Sequence, residues 1–282
     1  MDLLQWVGFW LPPFLLVFAR TVALFTQAPI IGSRAIPNVV KVLIAFWVSV
    51  CYLVTLPAPP AVPDQLLPFF ILLVNGVLVG LAFGYAASMM FFAIQGGGEL
   101  VATQTSLSMM TTLNPLLRTQ TSAVGQLFFY VSQLTFVFIG GHLVMLGGFF
   151  HTFELIPITG MLYIPGAFSE MLRLTGALFL VTLQMCMPAL LVMFFIDFGI
   201  GIINKTAQQV SNILEIVMAV KPSVGFVIVL LMMPNVQARI VELSDTMVTD
   251  VVKLMEAARP PESIASPAPM PTPSPNVGLP PR

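Results

Sequence analysis

Charge is what this chain has least of. Asp, Glu, Lys and Arg make up 8% of its 282 residues, where a soluble domain carries about 25%. With 57% of the chain hydrophobic, a soluble globular domain is excluded and a membrane protein is the expectation. The few charges nearly cancel, to a net −1, with no basic patch, so nucleic acid and acidic substrates are poor partners. No Lys or Arg precedes Arg20. The basic region of a cleavable signal peptide is therefore missing, and the first apolar segment is expected to be retained.

Reactive side chains are equally scarce. Cys51 and Cys186 are the two cysteines, and both sit inside apolar runs, which favours embedded thiols over a disulfide or a metal pair. His142 and His151 are nine apart, with no Cys, Asp or Glu at ligand spacing on the same helix face, so no metal site is expected. The chain has no G-x-S-x-G, H-E-x-x-H or S-x-x-K arrangement for a hydrolytic centre. GGGE at Gly96 to Glu99 lacks the GK[ST] ending of a phosphate loop. The expectation is a protein that is not an enzyme, with no cofactor.

What the chain has instead is long uncharged sequence. No charge stands in the 34 residues between Asp64 and Glu99, nor in the 35 between Arg118 and Glu154. As one helix the first run would be about 50 Å long, against about 30 Å of bilayer hydrocarbon, so it must tilt strongly, break or leave the lipid. Gly76, Gly80 and Gly84 recur every four residues, a face on which another helix backbone can approach closely. Gly96, Gly97 and Gly98 are poor helix material and predict a chain break, with the three glycines as a hinge.

Between the two runs lies a polar, glycine-rich island, GGGELVATQTSLSMMTTLNPLLRTQTSAVGQ, from Gly96 to Gln126. In a bilayer, irregular backbone is tolerated only where it is buried in protein or lines a water-filled cavity. The island reads as a loop inside a pore or an assembly. Its apolar members Met109, Met110, Leu113, Leu116 and Leu117 are interleaved with Thr111, Thr112, Asn114 and Thr119, with Pro115 among them. Soft methionines among small hydroxyls suit a constriction that seals and parts; an ordinary packed turn is the alternative.

Elsewhere, Leu3 to Ile31 predicts a first span, and the 22 residues between Lys41 and Asp64 a second, closed by LPAPPAVPD. Leu127 to Phe150 and Phe168 to Ile203 predict two more, and Pro222 to Pro234, at 13 residues, falls short of the ~20 a span needs. A re-entrant or irregular last element is expected there. From Asn235 to Ala258 apolar residues recur at three and four, an amphipathic helix, and the Pro-rich stretch 259–282 predicts a disordered tail. The loops near Arg34 and Lys41, Arg118, and Lys205 and Lys221 fall on one side, with Asp64 and Glu154 opposite, which predicts an outward amino terminus and a cytoplasmic tail. Arg20 and Asp197 are the charges most deeply set in apolar sequence. Facing lipid each would cost about 2.5–3.5 kcal/mol, so each must be paired or hydrated; an orienting contact is favoured over a proton path.

Four blocks in one order then carry a resemblance: FARTVALFTQAPIIGSRAIPNVVKVLIA, LVGLAFGYAASMMFFAIQGGGELVATQTSLSM, FIGGHLVMLGGFFHTFELIPIT, and FFIDFGIGIINKTAQQVSNI with Lys221 behind it. From about Leu11 to Pro234 the chain resembles the FliR-like family of type III secretion export-gate proteins. The resemblance implies an all-α membrane protein of long, broken and kinked helical hairpins rather than simple spanning helices. It implies one domain over 1–258, with a FliP-like part to about 165 and a FliQ-like part from about 166. It further implies a hetero-oligomer with FliP-like, FliQ-like and FlhB-like subunits in the bacterial inner membrane, at the flagellar basal body, conducting unfolded flagellar proteins. The loop matching 106–122 becomes a lumenal plug, and Arg34, Asn212 and Lys221 are polar residues that match the family. The chain departs from the family pattern at Gly76, at Asn114 and at Met218, Ala219 and Val220. The alternatives are the equivalent subunit of a virulence secretion system and a small-solute secondary transporter, which would show inverted repeats.

Overall fold

One helix organises the molecule. The computed structural model describes residues 3–33, 35–58, 60–63, 65–108, 121–206 and 213–260, and every regular element among them is helical. In order these are α1 (Leu3–Gln27), α2 (Asn38–Thr55), α3 (Leu66–Gln104), α4 (Ala123–Phe138), α5 (Gly141–Leu155), α6 (Ile164–Thr206) and α7 (Ile213–Ala257). α3 has 39 residues, about 58 Å at ~1.5 Å per residue, and it touches α1, α4, α6 and α7.

The first half of α3 packs on α1, the two helices running parallel. Leu16 and Arg20 lie against Gly76, Arg20 and Ala23 against Gly80, and Leu24 and Gln27 against Gly84. A Cβ on Gly80 would strike the Arg20 carbonyl, so the glycine face does what its spacing predicts. α2 also packs on α1, with Phe46 edge-on to Phe14 and Phe18 and Ser49 Oγ donating to Thr21 Oγ1 at 3.2 Å. Because Gly84 already faces the end of α1, the second half of α3 continues beyond that helix and must bury its surface elsewhere.

It does so against α4, α6 and α7. Apolar side chains form two cores along α3: one around Leu24, Phe83, Phe91 and Phe149, the other around Ile94, Phe128, Cys186 and Val236. α6 and α7 form an antiparallel hairpin of 43 and 45 residues. Their near ends are tied where the Tyr163 N–H donates to the Ala258 carbonyl at 2.7 Å. Of the stripe that the spacing predicts, Val236, Ile240, Met247, Val251 and Leu254 are buried and Leu243 is half-buried. Among the described residues, five helices are long and apolar enough to cross a membrane.

Three expectations are corrected. The break at Gly96, Gly97 and Gly98 is absent, since α3 runs through them to Gln104. Gly96 faces Thr182, Gly97 faces Met185 and Gly98 lies on Gly125, so close packing offsets a helix penalty of about 1 kcal/mol per glycine. The run Pro222 to Pro234 is no separate short element, because α7 continues through both prolines; its apolar stripe Ile228, Val229, Met232, Val236 and Ile240 is packed into the second core. The span predicted from Leu127 to Phe150 is two helices that meet at 75°. Gly140 carries the bend at φ +76°, a left-handed conformation that glycine adopts without a steric penalty.

Candidate functional site

The described parts of the polar island are the end of α3 with residues 105–108 and the start of α4 from residue 121. On the outgoing side, Thr105 Oγ1 donates to the Val101 carbonyl at 2.8 Å, Ser106 takes a positive φ of 62°, and the Ser108 N–H donates to the Ala102 carbonyl at 3.2 Å. The Thr105 side chain fills the space in front of Gly225 on α7. On the return side, Ser122 caps α4, its Oγ accepting from the Gly125 N–H at 3.0 Å. Glu99 of α3 reaches across, its Oε1 and Oε2 accepting from the Ser122 N–H at 2.8 and 3.1 Å.

A second polar cluster sits beside the first. Lys221 Nζ on α7 lies 2.8 Å from Asp197 Oδ1 on α6, and Gln104 Nε2, from the last residue of α3, donates to Asp197 Oδ2 at 3.1 Å. The structure thus joins two residues that the sequence singles out for separate reasons, a charge set in apolar sequence and a family-matched lysine; Asp197, expected to be buried, is half-exposed here, at the edge of the helix packing. One carboxylate collects the ends of three helices.

Arg20 lies far from this cluster and pairs differently. It is 1% exposed, donates through Nη1 to the Ile156 carbonyl at 2.9 Å, and stands 4.5 Å over the Phe153 ring, which stacks on Tyr52 at 4.2 Å. Near it, Asn75 pins the 156–163 connection, Nδ2 donating to the Gly160 carbonyl at 2.7 Å and Oδ1 accepting from the Leu162 N–H at 2.8 Å. Arg20 is the orienting contact, a tie between α1 and the end of α5, and the structure does not bring it to Asp197.

Met109, Met110, Thr111, Thr112, Leu113, Asn114, Pro115, Leu116 and Leu117 lie outside the described residues, as do Arg34, Asn212 and the tail from 261. Cys51 and Cys186 are free thiols, and among the described residues no three His, Cys, Asp or Glu side chains could share a metal ion. Sequence reasoning missed Glu99, Gln104, Thr105, Ser122, Gly125 and Gly225 as anchors. Glu99 had one signal to offer, as the first charge after the 34-residue uncharged run from Asp64. Backbone anchors, an ion pair and close helix contacts can hold a segment of chain in place.

An all-helical membrane protein, with helices longer than a bilayer and a polar segment mounted at one end, is the class that fold and site define. Residues 11–247 match the family described as bacterial export proteins, family 1, and the chain belongs to that family. Over 228 residues it is 28% identical to flagellar biosynthetic protein FliR of Bacillus subtilis (strain 168), covering 79% of this chain and 86% of that protein. FliR of Escherichia coli (strain K12) is 28% identical over 212 residues, 73% of this chain and 78% of its own. Yop proteins translocation protein T of Yersinia pestis is 27% identical over 226 residues, 74% and 81% of the two chains. The resemblance carried by the four sequence blocks is borne out.

Proposed function

We propose that this chain is a non-enzymatic subunit of the bacterial flagellar type III export gate. In this reading it joins FliP-like and FliQ-like subunits beside an FlhB-like one in the inner membrane, at the flagellar basal body, and unfolded axial proteins pass through the assembly. Residues 109–117 are the plug. The observation that carries the reading is the anchoring of the chain on either side of 109–120, where residues 105–108 and 122–125 are held by backbone and side-chain bonds among α3, α4 and α7. Helix length supports an assembly as well. α6 and α7, with 43 and 45 residues, reach about 65 Å, twice the ~30 Å of hydrocarbon, yet exposed apolar side chains run along α6 from Phe168 to Ile203. Lipid covers about half of that length, and subunits of the same kind would cover the rest. The α6–α7 hairpin is then the FliQ-like part and the helices before it the FliP-like part.

The FliR relatives from Bacillus and Escherichia favour the flagellar assignment. The Yersinia translocation protein favours the equivalent subunit of a virulence system as the second reading. The test has two arms. In mild detergent the chain is expected to copurify with FliP- and FliQ-like subunits, and a lone monomer would revive the small-solute transporter. Deleting 110–117 is expected to leave assembly intact and make the membrane leaky to small solutes; unchanged permeability in the assembled variant would overturn the plug.

A further inference from the structure

The start of α4 lacks half of its own cap. In a capping box the N-cap Ser bonds the N–H three residues on, and a Glu or Gln at that third position reaches back to the N-cap N–H. Ser122 does its part for Gly125, but the third position is a glycine with nothing to return. The missing carboxylate comes from α3. Glu99 accepts the Ser122 N–H with both oxygens, at 2.8 and 3.1 Å, and Ser122 is 3% exposed.

The surroundings are cut to fit this arrangement. A Cβ on Gly125 would collide with Glu99 Oε1 and lie 2.7 Å from its Cδ, so the carboxylate occupies the room a cis-acting side chain would need. A Cβ on Gly98, next to Glu99, would come within 2.8 Å of the Gly125 Cα. Glycine at both positions lets the two backbones touch where Glu99 crosses. Electrostatics point the same way: near the C-terminus of α3 a carboxylate faces the negative end of its own helix dipole, and the positive N-terminal end of α4 offsets this.

We infer that Glu99 is a positioning residue that closes the α4 capping box from another helix, and so fixes the start of α4, which follows residues 109–120 in the chain, relative to α3. The capping claim stands on the geometry alone, and its consequence for permeability rests on the export-gate reading. Glu99 is the first charge that α3 carries, and it is spent on a backbone N–H rather than on a cation.

The test moves the carboxylate back to its ordinary place. Glu99→Ala, Gly125→Glu and the double variant Glu99→Ala/Gly125→Glu are made in the full complex with its native partner subunits, alongside the 110–117 deletion. Hydrogen exchange is read at the amides of 122–125, and entry of a small membrane-impermeant dye is read in cells. Losing a charge-assisted bond is expected to speed exchange at Ser122 by at least about tenfold in Glu99→Ala and to raise dye entry several-fold. Gly125→Glu alone, which collides with Glu99, is expected to do the same. The double variant, with a box closed in cis, is expected to bring both readings back towards wild type. Wild-type exchange in Glu99→Ala, or no recovery in the double variant, overturns the inference. If Glu99→Ala fails to assemble, recovered assembly in the double variant supports it and continued failure overturns it. A deletion without dye entry sinks the gate reading alone, because the exchange result does not depend on it.

Discussion

Asp197 on α6 and Lys221 on α7 face each other at 2.8 Å, although 23 residues separate them in the chain. Gln104 completes the contact from α3 at 3.1 Å. The carboxylate therefore ties the far end of the α6–α7 hairpin to the helix that leads into the polar island.

Lys221→Met leaves Asp197 with an amide for a partner, and Asp197→Asn leaves Lys221 with a weaker acceptor. Both are expected to lower the thermal midpoint of the purified complex, and Asp197→Asn/Lys221→Met by less than the sum. With side chains 37% and 18% exposed, the coupling belongs at about 1 kcal/mol rather than at the level of a fully buried pair. Strictly additive midpoints would mean that the pair contributes nothing.

Gly80 and Gly147 both sit within helices and should respond to alanine with opposite signs. At Gly80 the new Cβ meets the Arg20 carbonyl and, at 2.9 Å, the Ala23 Cβ, so α1 and α3 must separate, at a cost of about 1–3 kcal/mol. At Gly147 nothing lies within 4 Å, and alanine gains up to about 1 kcal/mol of helix propensity. Thermal unfolding of the isolated chain in detergent reads both. A harmless Gly80→Ala would contradict the close approach of the two helices.

The sequence carried those parts of the fold that a single helix face can express. Gly76, Gly80 and Gly84 share a face by spacing alone, and so do Val236, Ile240, Met247, Val251 and Leu254, all of them buried. What it could not carry were places where partners override local preference. Gly96, Gly97 and Gly98 look like a break until Thr182, Met185 and Gly125 are set against them. Gly140 is one of several glycines near its end of a span, and only the backbone reveals that it takes the left-handed turn. Glu99 and Ser122 are 23 apart, beyond the reach of any periodic pattern. Asp197 and Lys221 were legible one by one, but their pairing needs the hairpin closed.

Arg20 offers the sharpest test of geometry against charge. The guanidinium is 1% exposed and is satisfied by the Ile156 carbonyl at 2.9 Å and the Phe153 face at 4.5 Å, not by a carboxylate. A lysine keeps the charge but not the flat, weakly hydrated group that can stack on a ring while donating in its own plane. Methionine removes the charge, keeps most of the volume and leaves the Ile156 carbonyl unpaired, at a cost of about 1–3 kcal/mol. Alanine adds a cavity to that loss, for a total of about 3–5 kcal/mol. Arg20→Met is therefore expected to be the mildest of the three, Arg20→Lys intermediate and Arg20→Ala the worst. Thermal midpoints should fall in that order, and protease cutting within 157–163 should rise with it, because Ile156 leads into that connection. A lysine variant indistinguishable from wild type would show that charge alone is needed, and the account of Arg20 as a planar tie between α1 and α5 would fall.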